Sequence, residues 1–413
     1  MAHILLKPDP SIIEKLQEMG ESARFDVADD DTLANGCLED EARKSALPKV
    51  PKLFLSNNCI FDCAYCGCRS SNDVKRRYVN TPREMAEIAV ATAKRTGTGV
   101  FITSAIYKNP DYTVELIVET LRILRFEMNF WQYIHAKIMP GTDSLLIEEA
   151  GWLADRLSVN IEIPNSAGYP MIAAQKSRET ILRPIGEISN RVQWHKHEKN
   201  QYGRRFARSG QTTQVMVGTM GETDQVLLTL AQAMYKKYHL RRVYYSAFGP
   251  AQPHYYLPSS PTPKWRSRRL YQADRLIELY GFDATDLATD DAPNMVYDLD
   301  PKAVWALRHM DMYPVEINTA DYETLLRIPG IGLANAEKII NARKHTQLTA
   351  PILKGMNVSL KRAQYFITCQ GKYQGGHALD SLEQATEKLR DREVMQMEIL
   401  HEKTEMERCG IVS

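Results

Sequence analysis

Six short apolar segments alternate with amphipathic segments between residues 52 and 247, and this alternation constrains the fold more than any other feature of the chain. The apolar segments predict strands over 52–56, 99–103, 131–138, 156–163, 214–218 and 242–247. Helical periodicity lies between them, over 82–94, 112–124, 144–153 and 222–238, with Thr81 as a predicted N-cap before Pro82. Strands that alternate with helices form parallel sheets, whose strands are buried and rich in apolar residues. The sequence therefore predicts an α/β fold, either part of a barrel or an open doubly wound sheet.

The composition is that of a globular chain with two or three domains, since the length is 413 residues. Lys and Arg number 52 against 51 Asp and Glu, so any contact with nucleic acid must come from a local basic patch. No apolar run approaches the ~20 residues of a membrane helix. The N-terminus lacks the apolar core and cleavage site of a signal peptide. We therefore expect a cytoplasmic protein without a membrane partner.

Changes in composition divide the chain into five predicted segments. Residues 1–48 predict an N-terminal helical extension, and residues 49–250 contain the alternating strands and helices. Five prolines in 248–263 indicate a linker, so 251–300 are assigned to a Pro-rich linker and a helix. Residues 301–375 predict a small all-helical module, with ten Lys or Arg and five Asp or Glu up to residue 373. Residues 376–413 predict a charged helical tail.

Four of the seven cysteines fall within ten residues, directly after the first predicted strand. Cys59, Cys63 and Cys66 have the spacing C-x₃-C-x₂-C, with Tyr65 before the last of them. Three closely spaced thiolates on one loop can hold three corners of a [4Fe–4S] cluster and leave the fourth iron open to a small molecule. A structural zinc site normally needs a second, separated pair of ligands. A bacterial ferredoxin run has a different spacing and a distant Cys-Pro. The pattern therefore indicates an iron–sulfur centre with one open position.

The motif C-x₃-C-x-aromatic-C resembles the signature of the radical S-adenosylmethionine (radical SAM) superfamily, with Tyr65 at the aromatic position. The resemblance implies a partial (β/α)₆ TIM-type barrel whose first strand precedes the cysteine loop. It also implies that Cys59, Cys63 and Cys66 hold a [4Fe–4S] cluster, which an electron donor reduces. SAM then binds the open iron and is cleaved to a 5′-deoxyadenosyl radical that abstracts hydrogen from a substrate. Cys68 lies outside the motif, as an inert neighbour, an alternative ligand or a hydrogen donor.

The same resemblance suggests further site residues on the other strands. Ser104 follows the second strand, where the family binds the SAM amino group, although Thr-Ser-Ala stands here in place of the common Gly-Gly-Glu. The candidates for cofactor binding are Tyr65, Ser104, Asn160, Glu162 and Val217. The candidates for catalytic side chains are Cys68, Tyr133, His135, Lys137, Tyr244 and Tyr245.

A second motif lies in residues 317–345, where two glycines form a predicted tight turn between helical segments. The core L-x-x-I-P-G-I-G-x-x-x-A-x-x-I resembles a helix-hairpin-helix, a unit that binds the DNA backbone. Glycines let the backbone approach a phosphate, and N–H groups at a helix start favour an anion. The DNA-binding candidates are Pro329, Gly330, Ile331, Gly332 and Lys338. The alternative is a helical turn that only packs the domain.

A radical SAM barrel followed by a helix-hairpin-helix is similar to the DNA modification/repair radical SAM proteins, distant relatives of spore photoproduct lyase. This resemblance implies a radical SAM enzyme that acts on a nucleotide in DNA, with a uracil-DNA-glycosylase-like protein as a further partner. No cysteine occurs between Cys68 and Cys369, so either Cys68 or a tyrosine is the lyase-type hydrogen donor, or the reaction differs from that of the lyase. The alternatives are a radical SAM enzyme that modifies RNA and a non-catalytic iron–sulfur protein that binds DNA and senses redox state.

Overall fold

The computed structural model describes residues 50–73, 77–201, 203–250, 252–296, 298–376 and 382–392. They form two compact units. The first comprises the described residues of Ala46–Glu222 and Ala233–Thr262, and the second those of Thr223–Gln232 and Pro263–Ser413. The predicted extension over 1–48 lies outside the described residues, and the predicted tail is described only over 382–392. Among the helices described, none is both long enough and apolar enough to span a membrane.

The first unit is built on one parallel sheet of six strands. The strands are β1 (Lys52–Phe54), β2 (Val100–Thr103), β3 (Ile134–Lys137), β4 (Arg156–Ser158), β5 (Gln211–Val217) and β6 (Arg242–Ala247). Each strand pairs in parallel with the next one in the chain, in the order β1 to β6. A doubly wound sheet would reverse its strand order at a switch point, whereas a (β/α) barrel keeps chain order. The sheet is therefore the predicted partial barrel, with β1 and β6 at its two edges.

Helices follow the strands, with boundaries that local sequence explains. The helices that begin between β1 and β6 are α1 (Pro82–Thr96), α2 (Pro110–Arg122), α3 (Ser144–Leu153), α4 (Tyr169–Ile172), α5 (Arg178–Trp194) and α6 (Asp224–Tyr238). Thr81 caps α1 as predicted, because its hydroxyl accepts from the N–H of Glu84 while the Glu84 carboxylate accepts from the N–H of Thr81. Gly97 ends α1 in the left-handed conformation, at φ +70°.

The two faces of the sheet differ in polarity. Side chains alternate along a strand, and paired residues of parallel strands share a face. Lys137 pairs with Ser158, Ser158 with Thr212, and Thr212 with Arg242, so one face is polar. Val100, Ile102, Ile134, Ala136, Leu157 and Val215 are fully buried on the opposite face. The polar face is the inner face of the partial barrel, and the apolar face packs under the helices.

The second unit contains helices and a small sheet, so the expectation of an all-helical module was wrong. Its helices are α7 (Lys264–Tyr280), α8 (Ala284–Leu287), α9 (Pro301–Arg308), α10 (Tyr322–Arg327), α11 (Leu333–Ala342), α12 (Ala350–Gly355), α13 (Leu360–Ala363) and α14 (Leu382–Leu389). The strands β7 (Val315–Glu316), β8 (Ile367–Cys369) and β9 (Lys372–Tyr373) form its sheet. Strands of two or three residues are too short to produce a readable alternation of polar and apolar residues.

Candidate active site

A cleft of about 700 Å³, which includes open solvent, lies at the carboxyl ends of the first strands. The loop after β1 supplies its cysteines, and the segments after β2, β3 and β4 supply most of the remaining lining. Active sites of (β/α) barrels lie at this end of the strands. The cysteine-loop residues that line the cleft are Cys59, Phe61, Cys63, Tyr65, Cys66, Cys68 and Arg69. The cysteines on which the sequence analysis concentrated therefore lie in one cleft.

The guanidinium group of Arg77 holds the cysteine loop in shape. It donates four hydrogen bonds to main-chain carbonyls of the loop, at 2.9, 2.7, 2.6 and 2.9 Å, to Asn57, Cys68, Arg69 and Asn72. The next residue adds two bonds, because the N–H of Tyr78 donates to Asn57 Oδ1 and its carbonyl accepts from Ser56 Oγ, both at 2.8 Å. Sequence reasoning missed Arg77, since a lone arginine after the motif gives no pattern.

The thiols of the motif are not activated nucleophiles. Burial raises the pKa of Cys59 and raises that of Cys63 to about 11, although the Lys176 ammonium opposes the shift at Cys63. A hydrogen bond with the Cys68 side chain is the main cause that raises the pKa of Cys66 well above its usual range, and burial is the second cause. Reactive cysteines have lowered pKa values. A metal ion deprotonates a coordinating thiol outright, so these raised pKa values do not oppose iron binding.

The donor set fits a cluster bound at its corners. Cys59, Cys63 and Cys66 line one cleft and are all free cysteines. Among the residues that the structure describes, no three His, Cys, Asp or Glu side chains are grouped as ligands of a single metal ion. A cubane cluster instead takes one thiolate at each of three separate iron corners, so its ligands need not converge on one point.

A network of three side chains places a buried ammonium group in the cleft. Lys176 Nζ donates to the Tyr65 hydroxyl at 3.0 Å and forms an ion pair with Glu162, whose carboxylate also accepts a hydrogen bond from Tyr65. Burial opposes the charge of Lys176, but the neighbouring Cys63 and Glu162 raise its pKa. Burial likewise opposes ionisation of Glu162, but the charges of Lys176 and Lys137 lower its pKa. Glu162 and Tyr65 were predicted cofactor residues, whereas Lys176 was missed because it lies in an irregular segment.

Glu162 occupies an irregular part of the fourth strand. Ser158 pairs with Thr212 while Glu162 pairs with Val215, so four residues on one side match three on the other. Glu162 has φ +62°, which is unusual for a residue other than glycine. This bulge explains why regular strand geometry ends at Ser158 and not at the predicted residue 163.

The other predicted site residues on the inner face differ in whether their side chains line the cleft. Ser104, Lys137 and Asn160 line the cleft, and Asn160 Nδ2 donates to Gln214 Oε1 at 2.8 Å. His135 is not among the described residues that line it. Its ring stacks on Phe101, with centroids 3.9 Å apart, and its Nε2 lies 2.8 Å from Ser158 Oγ. Burial, reinforced by nearby cations, lowers the pKa of His135 well below its usual range, so the ring is neutral.

Besides His135, four predicted residues are not among the described residues that line the cleft. Tyr133 precedes β3 and lies near its amino end, about 13 Å along the strand from Lys137. Tyr244 is half-buried on the inner face, 5.5 Å below the Arg242 guanidinium, but is not among the described lining residues. Strand alternation places the buried side chains of Tyr245 and Val217 on the outer face, and neither is among the described residues that line the cleft.

The predicted glycine turn joins α10 to α11 in the second unit. Gly330 has φ +85°, and Gly332 precedes α11 without a side-chain cap. Pro329 and Ile331 are buried, so their side chains pack the turn and leave only its backbone for any ligand. Lys338 is exposed on α11.

A second turn of the same kind, which the sequence analysis missed, joins α12 to α13. Asn357, 27 positions after Gly330, has φ +64° and the corresponding place in the turn. The two turns contact each other, since Ser359 N–H donates to the Gly330 carbonyl at 3.2 Å and Asn335 Nδ2 donates to the Asn357 carbonyl at 3.0 Å. The sequence signal was a weak repeat of L-R-I-P-G-I-G-L as L-K-G-M-N-V-S-L.

A family model described as the Radical SAM superfamily matches residues 53–233. The chain therefore contains a radical SAM domain, as the cysteine motif predicted. Proteins of this superfamily use a [4Fe–4S] cluster and S-adenosylmethionine, and these are the cofactors of the domain.

Solved structures match parts of the chain at low sequence identity and with low TM-scores. The FeFe-hydrogenase maturase HydG from Carboxydothermus hydrogenoformans is 16% identical with a TM-score of 0.44, over 60% of this chain and 55% of that chain. The radical S-adenosylmethionine methyltransferase TsrM from Kitasatospora setae is 10% identical with a TM-score of 0.36, over 48% of this chain and 36% of that chain. The chain thus spans about half the length of the HydG chain. No curated protein sequence matches it.

Proposed function

We propose that this protein is a radical SAM enzyme that acts on a nucleotide in DNA. The radical SAM domain supports the reaction class, and the paired turns of the second unit, at Gly330 and Asn357, support DNA as the partner. When bound and reduced by one electron, the cluster and SAM supply a 5′-deoxyadenosyl radical that can abstract hydrogen from a substrate.

The residues of the cleft divide the work of holding the cofactors. Cys59, Cys63 and Cys66 hold the cluster. Lys176, fixed by Glu162, presents a positive charge that can orient a carboxylate, such as that of the methionine portion of SAM. The apolar side chains of the lining exclude water from a reactive radical. They are Phe54, Phe61, Ala105, Ile106 and Met139.

The observation that carries the DNA assignment is the first turn, which resembles a helix-hairpin-helix. Gly330 and Gly332 flank a buried Ile331, and the α11 N-terminus follows. Lys338 is exposed on α11, and the second hairpin adds the exposed Lys354 and Lys361. Contacts of this type bind phosphates and position DNA without reading its sequence.

The reaction class is tested by anaerobic reconstitution, reduction and addition of SAM, with 5′-deoxyadenosine quantified with and without DNA. The variants Cys59→Ala, Cys63→Ala and Cys66→Ala should lose the [4Fe–4S] cluster. Cys369→Ala removes a buried cysteine of the second unit and should keep it. Retention of a full cluster by all three motif variants would refute the ligand assignment. A reducible cluster that never cleaves SAM would favour a redox-sensing DNA-binding protein.

The DNA assignment is tested by equilibrium binding at several salt concentrations. Lys338→Gln should weaken binding about equally for all duplex sequences and lower the salt slope by about one. Lys94→Gln, an exposed lysine on α1, is the control. Sequence-selective loss would contradict a backbone contact, and tighter binding of tRNA than of duplex DNA would favour an RNA substrate.

The same family resemblance leads us to propose two protein partners. One is an electron donor for the cluster, and the other is a uracil-DNA-glycosylase-like protein. Pull-down with the reconstituted chain tests both, and the glycosylase-like proposal fails if no such protein is retained with or without DNA.

A further inference from the structure

Two tyrosines stand out from the surface on a short turn after β6. Tyr255 is 92% exposed and Tyr256 is 46% exposed, with ring centroids 4.9 Å apart in an edge-on arrangement. The His254 ring lies 6.0 Å from that of Tyr256. We call residues 254–257 the aromatic turn.

The aromatic turn is held in a fixed shape. The N–H of Leu257 donates to the carbonyl of His254 at 3.1 Å, and the N–H of Tyr256 donates to His254 Nδ1 at 3.3 Å. Leu257 is buried and anchors the turn, while Pro253 and Pro258 restrict the backbone on both sides. The tyrosines are therefore presented to solvent at little entropic cost for a ligand that binds them.

Hydrogen bonds attach Gln252, two residues before the aromatic turn, to the cysteine loop. Arg69, which lines the cleft, donates to Gln252 Oε1 at 2.7 Å, and Gln252 in turn donates to Asn72. Asn72 Nδ2 donates to the carbonyl of Gly67 at 2.6 Å. Tyr255 follows Gln252 by three residues, which span at most about 10 Å even when the chain is extended. A strand bound in the cleft would therefore reach Tyr255 within a few nucleotides.

The chemistry of this surface fits nucleobases. Every base offers a flat π-face, so stacking on an exposed aromatic side chain is possible whatever the sequence. The nearby Arg69 adds a positive charge, which suits a phosphate backbone. A protein partner that binds through aliphatic side chains would instead be expected to contact a broader apolar patch.

We propose that the aromatic turn stacks on an unpaired base of the substrate strand, next to the nucleotide that occupies the cleft. The inference rests on the proposed nucleotide substrate. Because an enzyme that acts on a base must take it out of the duplex, the strand beside the target loses stacking partners. Tyr255 replaces one of them.

The test uses the reconstituted full chain and a hexanucleotide with a central 2-aminopurine, in deoxyribose and ribose forms, with fluorescence quenching as the readout. Tyr255→Ala should weaken binding about tenfold, the equivalent of about 1.4 kcal/mol. Tyr255→Phe should keep wild-type quenching, because the ring is retained. The control is Trp194→Ala, which removes a 75% exposed aromatic at the end of α5.

The outcomes separate this proposal from the proposed function. Quenching that depends on the Tyr255 ring supports the aromatic turn, and if it occurs only with ribose it moves the substrate from DNA to RNA. Quenching that is equal in wild type and Tyr255→Ala, or that falls equally in Trp194→Ala, overturns the aromatic turn. DNA-stimulated formation of 5′-deoxyadenosine, measured on the same samples, reports on the proposed function independently of the quenching.

Discussion

Replacement of Arg77 by methionine should loosen the cysteine loop without removing any ligand of the cluster. The guanidinium group makes four hydrogen bonds to loop carbonyls, and methionine makes none of them. A hydrogen bond to a charged group contributes about 1.5–3 kcal/mol when it is well buried. Arg77 is only partly buried, and released carbonyls can recruit water, so we take about 1 kcal/mol for each bond. Because the four contributions are not fully additive, the ordered loop should lose roughly 3 kcal/mol of stability relative to its open forms. This loss shifts the equilibrium between ordered and open loop about a hundredfold.

Two measurements check this estimate. Amide hydrogen exchange of the apoprotein should accelerate across residues 57–72, and the reconstituted protein should hold less iron and sulfide and lose them faster. Arg83→Met removes an exposed arginine that pairs with Glu127, and it should change neither measurement. Arg77→Lys keeps the charge but not the four-way geometry, so it should resemble Arg77→Met. Normal exchange of 57–72 in Arg77→Met would refute the reasoning, even if cluster content fell.

Three further predictions concern single residues. Lys176→Met removes the ion-pair partner of the buried Glu162 carboxylate, so it should destabilise the first unit by about 3–5 kcal/mol and weaken SAM binding. Calorimetry and equilibrium binding measure the two effects, and Lys176→Arg should recover part of each. Gly330→Ala places a Cβ at a residue with positive φ and 2.6 Å from the Ser359 carbonyl oxygen, so it should lower the Tm of the second unit by several degrees. Gly355→Ala has open space around the new Cβ and should leave the Tm unchanged. Burial lowers the pKa of Lys302 to about 7, so the unfolded chain binds more protons between about pH 7 and pH 10.5. The stability of the second unit should therefore rise by a few kcal/mol over that range, and a denaturant series in which Lys302→Met shows the same rise would contradict this.

The sequence predicted the parallel sheet well because its strands are buried on both faces and separated by amphipathic helices. β6 was predicted with its correct ends, and α3 likewise. The third strand begins at Ile134 and not at residue 131, because the aromatic residues Trp131 and Tyr133 extend the apolar pattern into a loop whose side chains are exposed or half-buried. Secondary structure in the second unit was harder to predict, since β7 and β9 contain only two residues each and gain their pairing from tertiary contacts.

The sequence indicated which residues lie together where a motif fixes their spacing, but not where only the fold brings residues together. Cys59, Cys63, Cys66 and Tyr65 were identified from 13 residues of sequence and share one cleft. Lys176 is 111 residues away from Tyr65 in the chain, and no local pattern predicts that their side chains touch. Face assignment on strands also depends on register, and for this reason the sequence did not show that the side chains of Val217 and Tyr245 lie on the outer face.

The energetics of Glu162 argue that the charged network serves binding rather than folding. A left-handed backbone costs a residue such as Glu about 1–2 kcal/mol, and a buried ion pair is often no more stabilising than an apolar pair of similar volume. A regular strand with an apolar residue at position 162 would therefore be at least as stable. The arrangement instead keeps an ammonium group, that of Lys176, at a defined place beside the cluster cysteines. Strain and buried charge that bring no stability are expected where a ligand supplies the missing interaction, which supports a role for Lys176 in orienting a carboxylate in this cleft.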